Sequence, residues 1–182
     1  MKSEENPWHT LAIREVFDNP WITVTAEDVI RPSGSPAVYG KVSFKQLACG
    51  IIPLAENGDT WLVGQYRYTL DQYSWEIPMG GVPRHEDVLA GAQRELKEET
   101  GLTAERWARV LDCHVSNSIT DEAGCVFIAE DLTQGEPEPD DSEQLQIRRL
   151  PLRDAINMAM GGEISCLLSM AGLLKVAAVR DL

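Results

Sequence analysis

The stretch from residue 80 to residue 102 constrains this chain more than any other, and its sequence is GGVPRHEDVLAGAQRELKEETGL. A loop with glycine and proline leads there into a helical pattern. Glu86 and Asp87 stand where the helix is predicted to begin, and their charges suit the positive end of the helix dipole. Gly101 stands where the helix is predicted to end, because glycine favours the left-handed turn that follows the last helical residue.

The apolar residues of this predicted helix define the face that it buries. They recur at helical spacing within an arc of roughly 100°. They are Val88, Leu89, Ala92 and Leu96. Glu99 falls inside the same arc, and Glu95 lies at its edge. The helix is therefore predicted to carry two carboxylates on the side that faces the core.

These two carboxylates need a neutralising partner. Glu95 and Glu99 are four residues apart, so they are neighbours on one helix face and repel each other. Arg94 is expected on the far side, where it can pair with Glu98, which leaves the two glutamates without a cationic partner inside the helix. Because a buried, unpaired carboxylate is costly, the pattern predicts a hard divalent cation with oxygen ligands, and Mg²⁺ is the usual one. The alternative is a solvated acidic helix.

The order and spacing of these residues resemble the complete Nudix box, and no position departs from its pattern. The matching positions are Gly80, Glu86, Arg94-Glu95-Leu96, Glu98-Glu99 and Gly101-Leu102. The resemblance implies an α+β fold of the Nudix type, which is an α/β/α sandwich around a mixed sheet. It also implies Mg²⁺-dependent hydrolysis, with Mn²⁺ as a substitute metal, of a nucleoside diphosphate linked to another group.

The same resemblance implies roles for single residues. Glu95, Glu99 and the backbone carbonyl of Met79 would bind the metal, and Glu98 would lie close by as a catalytic residue. The other box residues would shape the loop and the helix rather than react. They are Gly80, Glu86, Arg94 and Gly101.

Two segments before the box resemble the ADP-ribose and nucleotide-sugar branch of this family, namely Gln65-Tyr66-Arg67 and Trp75-Glu76-Ile77-Pro78. The resemblance implies that Arg67 contacts phosphate or ribose and that Glu76 approaches the metal or the distal sugar. An arginine opposite a diphosphate makes charge-assisted, often bidentate hydrogen bonds. The alternatives are a salt bridge on the strand surface for Arg67 and a solvated loop acid for Glu76. Ser116-Asn117-Ser118 lacks the proline of this branch, which leaves broader nucleotide-sugar use open.

Residues 1–45 are predicted to form an N-terminal antiparallel β extension, with strands over 11–17, 21–29 and 38–44. It resembles the extension of the ADP-ribose pyrophosphatase group, which implies a homodimer in which this part is exchanged between subunits. Trp21 could stack on a nucleobase as a substrate-binding residue, although packing is the favoured interpretation. Residues 46–182 would form the Nudix hydrolase domain, which begins with a hairpin turned at Asn57-Gly58.

The part after the box is predicted to supply the general base. Strands are expected over 107–115, 125–129 and 145–150, and helices over 152–160 and 164–179. An acidic, proline-rich loop spans 133–144, and the resemblance implies that Glu143 in this loop accepts the proton. Glu122 is the second candidate. A loop that closes over substrate would suit this task, but such loops are also commonly just solvated.

Composition limits the partners and the compartment. The 182 residues carry a formal net charge of −13, which argues against a nucleic-acid polymer because phosphate backbones need a basic surface. The four cysteines show no zinc-site spacing and suit a reducing compartment. The polar N-terminus shows no signal peptide, and no apolar run reaches the ~20 residues needed to span a membrane. A cytoplasmic protein without membrane contact is therefore expected.

The function predicted from sequence is hydrolysis of the diphosphate bridge of nucleoside diphosphate sugars, including ADP-ribose, to a nucleoside monophosphate and a sugar phosphate. Two alternatives stay open. One is a Nudix hydrolase of a nucleoside triphosphate or a dinucleoside polyphosphate. The other is a non-catalytic nucleotide-binding module, which the complete set of box glutamates argues against.

Overall fold

The computed structural model describes residues 5–138 and 144–180, and the chain forms two units in it. The first unit comprises the residues up to 46 together with residues 116–122. The second unit comprises residues 47–115 and the residues from 123 onward. The polar loop 116–122, which follows the Nudix box in sequence, is thus part of the N-terminal unit.

The first unit is an antiparallel sheet in the order β1-β2-β3, as predicted for the N-terminal extension. Its strands are β1 (His9–Asp18), β2 (Ile22–Ile30) and β3 (Pro36–Phe44). Asn19 closes the first turn because its side chain accepts hydrogen bonds from the backbone N–H groups of Trp21 and Ile22. The 116–122 loop is bound to β3, where the amide of Phe44 donates to Asp121 Oδ1 at 2.8 Å.

The second unit contains two sheets. The mixed sheet has the order β7-β4-β9-β8, in which β4 and β9 are parallel and β8 and β9 are antiparallel. Its strands are β4 (Gln46–Pro53), β7 (Met79–Pro83), β8 (Leu102–His114) and β9 (Ala123–Gln134). The antiparallel sheet has the order β10-β5-β6. Its strands are β5 (Asp59–Arg67), β6 (Gln72–Glu76) and β10 (Gln146–Pro151).

The helices are α1 (Val88–Thr100), α2 (Leu152–Gly161) and α3 (Leu167–Arg180), and a 3₁₀ turn covers Tyr68–Leu70. The prediction of a helix from residue 164 was wrong by three residues. The backbone N–H groups of Glu163 and Ile164 instead donate to the Met158 carbonyl and close the end of α2. Strand β8 begins five residues earlier than predicted, directly after Gly101, because it pairs with β9 along its length.

Alternating side chains divide the core of the second unit into two clusters, since successive residues of a strand point to opposite faces. Leu62 of β5 packs in the cluster that includes residues of α2 and α3. The adjacent Trp61 packs with Ala92 and Leu96 of α1. Helices therefore pack against both faces of the strands, with α2 and α3 on one face and α1 on the other. The predicted α/β/α sandwich is confirmed. The longest helix among residues 5–138 and 144–180 is α3, whose 14 residues are too few to span a membrane.

Candidate active site

Local signals place α1 where the sequence predicts it. Asp87 caps the helix, and its side chain accepts a hydrogen bond from the amide of Ala90 at 2.9 Å. Gly101 ends the helix with a φ of 73°, and its N–H donates to the Lys97 carbonyl. The helix lies so close to β7 that a side chain at Gly91 would overlap Val82. Strand β7 is thereby packed closely against α1.

Glu99 is buried on the inner face of α1, as the helical wheel predicts, with only 2% of its surface exposed. Its Oε2 accepts a hydrogen bond of 2.9 Å from the backbone N–H of Met79, the first residue of β7. A hydrogen bond from a backbone amide to a carboxylate is charge-assisted and therefore strong. The buried carboxylate is therefore joined to Met79, the residue whose carbonyl the family resemblance implies as a metal ligand.

Glu95 lies one helical turn before Glu99 and directly against Gly80. A Cβ atom at Gly80 would overlap the Glu95 carboxyl group. Only glycine leaves room for that carboxylate beside the β7 backbone. The first two residues of β7 thus lie against the two inner glutamates of α1.

Arg94 corrects one sequence prediction. Its Nη1 lies 2.7 Å from Glu95 Oε1 and 3.0 Å from Glu98 Oε2, so Glu95 does have a cationic partner inside the helix. The pairing with Glu98 was predicted correctly. The helical wheel fixes the direction of each Cβ, but a guanidinium on a long stem reaches the neighbouring side chain. Its Nη2 also lies 3.7 Å from Glu86, which links the preceding loop to the helix.

The environment of Arg94 favours its charge. Partial burial alone would lower the pKa of Arg94, but the charges and hydrogen bonds of Glu95 and Glu98 raise it above its ordinary value. Glu98 itself is half-exposed and is oriented by this bond.

Arg67 and Glu76 form a bidentate ion pair between β5 and β6. Arg67 Nε donates to Glu76 Oε1 at 2.9 Å, and Nη2 donates to Oε2 at 2.6 Å. Glu76 is only 3% exposed, so the alternative of a solvated loop acid is wrong. The hydrogen bond to Glu76 raises the pKa of Arg67, and the charge of Glu99 adds to this effect. Nε and Nη2 of Arg67 make these two bonds, and Nη1 takes no part in the ion pair.

The donor set fits a divalent cation that prefers oxygen ligands. In the described ranges no three His, Cys, Asp or Glu side chains are grouped to hold a metal, so side chains alone build no closed cage. The carboxylates of Glu95 and Glu99 lie beside the backbone of Met79 and Gly80, and their oxygens are of the kind that such a cation binds.

The remaining predicted residues lie elsewhere in the chain. Trp21 precedes β2 in the first unit and is 63% exposed. Glu122 also belongs to the first unit, and burial raises the pKa of its carboxyl above the ordinary value. Glu143 lies outside the described residues.

Sequence reasoning missed two residues near the start of α3. The hydroxyl of Ser169 accepts a hydrogen bond of 3.1 Å from the backbone N–H of Ile77. Cys166 Sγ lies 4.0 Å from Met79 Sδ. The only signal in the sequence is a serine inside an apolar helical pattern, and no local rule connects it to a residue so far away in the chain.

Two family models match the chain in succession. Residues 8–42 match the nucleoside diphosphate sugar hydrolase N-terminal domain. Residues 44–165 match the NUDIX domain, which is more than half of the chain.

Full-length relatives agree with these matches. The chain is 33% identical over 182 residues to the ADP-ribose pyrophosphatase of Mycobacterium tuberculosis, covering 96% of this chain and 86% of the relative. It is 30% identical over 166 residues to the ADP-ribose pyrophosphatase of Bacillus subtilis, covering 90% and 88%. A solved ADP compounds hydrolase shares the fold with a TM-score of 0.87 at 22% identity, over 99% of this chain and 97% of that one. The chain belongs to the Nudix hydrolase family.

Proposed function

We propose that this protein is a Mg²⁺-dependent pyrophosphatase that hydrolyses the diphosphate bridge of nucleoside diphosphate sugars, including ADP-ribose. The products would be a nucleoside monophosphate and a sugar phosphate. The observation that carries the proposal is the position of the two inner glutamates of α1 against the start of β7. The buried Glu99 carboxylate accepts a hydrogen bond from the Met79 amide, and the Glu95 carboxylate lies against Gly80. The names of the two bacterial relatives and the match over residues 8–42 support this class of substrate.

The metal ligands in this proposal are Glu95, Glu99 and the Met79 carbonyl. A bound Mg²⁺, or Mn²⁺ in its place, would neutralise phosphate charge and lower the pKa of its bound water. The protein prepares this site in two ways. The Met79 amide fixes one oxygen of Glu99, and Arg94 fixes one oxygen of Glu95.

The remaining residues bind substrate and move the proton. Arg67, held in place by Glu76, would donate hydrogen bonds to a substrate phosphate or ribose. The oxygen of a water molecule would form a bond to one phosphorus of the bridge, and the bridging oxygen would leave with the other phosphate. Glu143 would accept the water proton, with Glu122 as the second candidate, and Glu98 would assist. Trp21 would contact the nucleobase.

Residues 1–45 would form a homodimer, with residues 46–182 as the hydrolase domain of each subunit. Large apolar side chains of β1 are exposed within the first unit, which supports an association that buries them. They include Leu11, Ile13, Val16 and Phe17. None of the four cysteines, all in the described ranges, forms a disulfide, which supports a reducing, cytoplasmic location.

The test is phosphate release in a coupled assay with added phosphatase. ADP-ribose, GDP-mannose, UDP-glucose and a nucleoside triphosphate are offered with and without Mg²⁺ to the unmodified protein and to Glu99→Gln. Mg²⁺-dependent turnover of the diphosphates, reduced by at least about 100-fold in a folded Glu99→Gln, is the expected result. Turnover of the triphosphate alone would assign another substrate, and wild-type rates in Glu99→Gln would refute the metal assignment.

A further inference from the structure

The segment from Glu76 to Met79 is held at every residue by a different part of the second unit. Arg67 of β5 binds the Glu76 carboxylate. The Ser169 hydroxyl accepts from the amide of Ile77 at 3.1 Å. The carbonyl of Pro78 accepts from the amide of Ile51 at 2.8 Å, and the Met79 amide donates to Glu99 at 2.9 Å. Three of these four partners lie in the sheets or in the box helix, because Arg67 belongs to β5, Ile51 to β4 and Glu99 to α1. The fourth, Ser169, belongs to α3.

The Ser169 hydroxyl satisfies a backbone group that the sheets leave open. Ile77 lies between the end of β6 and the start of β7, and its side chain is fully buried. A buried amide without an acceptor is costly. Ser169 is itself fully buried in a helix of mostly apolar residues. Alanine would suit such a helix position better, so the serine is explained by its bond to Ile77.

This bond acts on the metal site through a short and stiff connection. Only Pro78, whose ring fixes φ, separates Ile77 from Met79. A shift of the backbone at Ile77 therefore moves Met79, whose amide binds Glu99 and whose carbonyl is the proposed metal ligand. Cys166, the residue before α3, also contacts this point directly, because its Sγ lies 4.0 Å from Met79 Sδ.

We infer that Ser169 is a positioning residue that sets the metal-binding carbonyl of Met79 from outside the Nudix box. The inference rests on the proposed function, in which that carbonyl is a metal ligand. Ser169 does not touch substrate in this scheme. It acts through Ile77 and thereby couples α3 to the metal affinity of the enzyme.

The test uses Mn²⁺ binding followed by electron paramagnetic resonance, together with the amide proton shift of Ile77 by NMR. Ser169→Ala removes the acceptor, so we expect the Ile77 amide proton to move upfield and Mn²⁺ affinity to fall by about 10- to 100-fold. Ser169→Thr keeps a hydroxyl and should restore most of the affinity. Val176→Ala is the matched control, because it truncates another fully buried side chain of α3, about two turns further along the helix, and removes no hydrogen bond to Ile77.

The possible outcomes separate this inference from the proposed function. Wild-type Mn²⁺ affinity in Ser169→Ala, or an equal loss in Val176→Ala, would overturn the positioning role. If the unmodified protein binds Mn²⁺ but releases no phosphate from any diphosphate sugar, the substrate proposal fails while the positioning role is still decided by the variants. If the unmodified protein binds no Mn²⁺, both are overturned.

Discussion

Gly80 and the Glu95 carboxyl group lie so close together that a Cβ atom at residue 80 would overlap the carboxylate. Glycine at this position therefore serves a neighbour on a different element, since β7 carries Gly80 and α1 carries Glu95. The box pairs a glycine with a glutamate that lies fifteen positions later in the chain. This relationship determines where the carboxylate can sit relative to the Met79 backbone.

Gly80→Ala should reduce turnover of the best diphosphate substrate by about 100-fold, because the new methyl group displaces a proposed metal ligand. The measurement is kcat and KM at saturating Mg²⁺. Gly161→Ala is the matched control, since a Cβ there meets nothing within 4 Å. Equal activity of both variants would contradict the role of the close approach.

Breaking the Arg67–Glu76 pair should destabilise the fold more than removing both partners. Arg67→Met leaves the buried Glu76 carboxylate without its guanidinium and should cost about 3 kcal/mol in free energy of unfolding. The double variant Arg67→Met with Glu76→Leu should cost less than Arg67→Met alone, because it leaves no buried charge unpaired. Urea denaturation of all four proteins gives this cycle, and strict additivity would argue that the pair contributes no coupling.

The sequence predicts features that depend on residues within a few positions of each other, and it does not predict contacts between residues far apart in the chain. The bounds of α1 were predictable because Asp87 and Gly101 act within one turn, and the burial of Glu99 followed from the helical wheel. The burial of Glu76 was not predictable, because it depends on its pairing opposite Val63 of β5. The bond between Ser169 and Ile77 was missed for the same reason, since it joins residues that only the tertiary fold brings together.

Thr60→Val should raise the free energy of unfolding by about 1 kcal/mol. Thr60 is fully buried in β5, and its Oγ1 has no hydrogen-bond partner among the described residues. Valine has nearly the same shape and suits a strand. Thr100→Val is the control, and we expect it to lower the free energy of unfolding. The buried Oγ1 of Thr100 donates to the Leu96 carbonyl at 2.6 Å and accepts from the Leu102 amide at 3.2 Å, and valine loses both bonds. Chemical denaturation of both variants measures the contrast, and a loss of stability in Thr60→Val would contradict it.

Glu122 should make stability fall as pH rises. Burial raises the pKa of its carboxyl in the folded protein above the unfolded value of about 4.3. Between these two values the folded state binds more protons than the unfolded state, so the free energy of unfolding decreases with pH and the penalty is complete above the folded pKa. Glu122→Gln removes the penalty and should be more stable than the unmodified protein at pH 7.

The gain from Glu122→Gln should shrink to nothing below pH of about 4. Urea denaturation across this range checks the trend, and ¹³C NMR of the Glu122 carboxyl reads its pKa directly. Glu105→Gln, at an exposed position of β8, is the control substitution. A gain that is independent of pH would show that burial of the charge is not the cause.

Gly101→Ala should destabilise the protein more than Gly162→Ala, although both glycines end helices with left-handed backbones. Their φ angles are 73° and 83°, so alanine costs about 1 kcal/mol at either position. A Cβ at Gly101 would in addition overlap the carbonyl oxygen of Gly135, whereas a Cβ at Gly162 meets nothing within 4 Å.

The amide of Gly135 donates to the Gly101 carbonyl at 2.8 Å, and the amide of Glu138 donates to the Glu98 carbonyl at 2.9 Å. The overlap therefore disturbs the attachment of residues 135–138 to the end of the box helix. We expect Gly101→Ala to lose at least about 2 kcal/mol in thermal or urea unfolding, and a loss equal to that of Gly162→Ala would mean that the close approach to Gly135 contributes nothing.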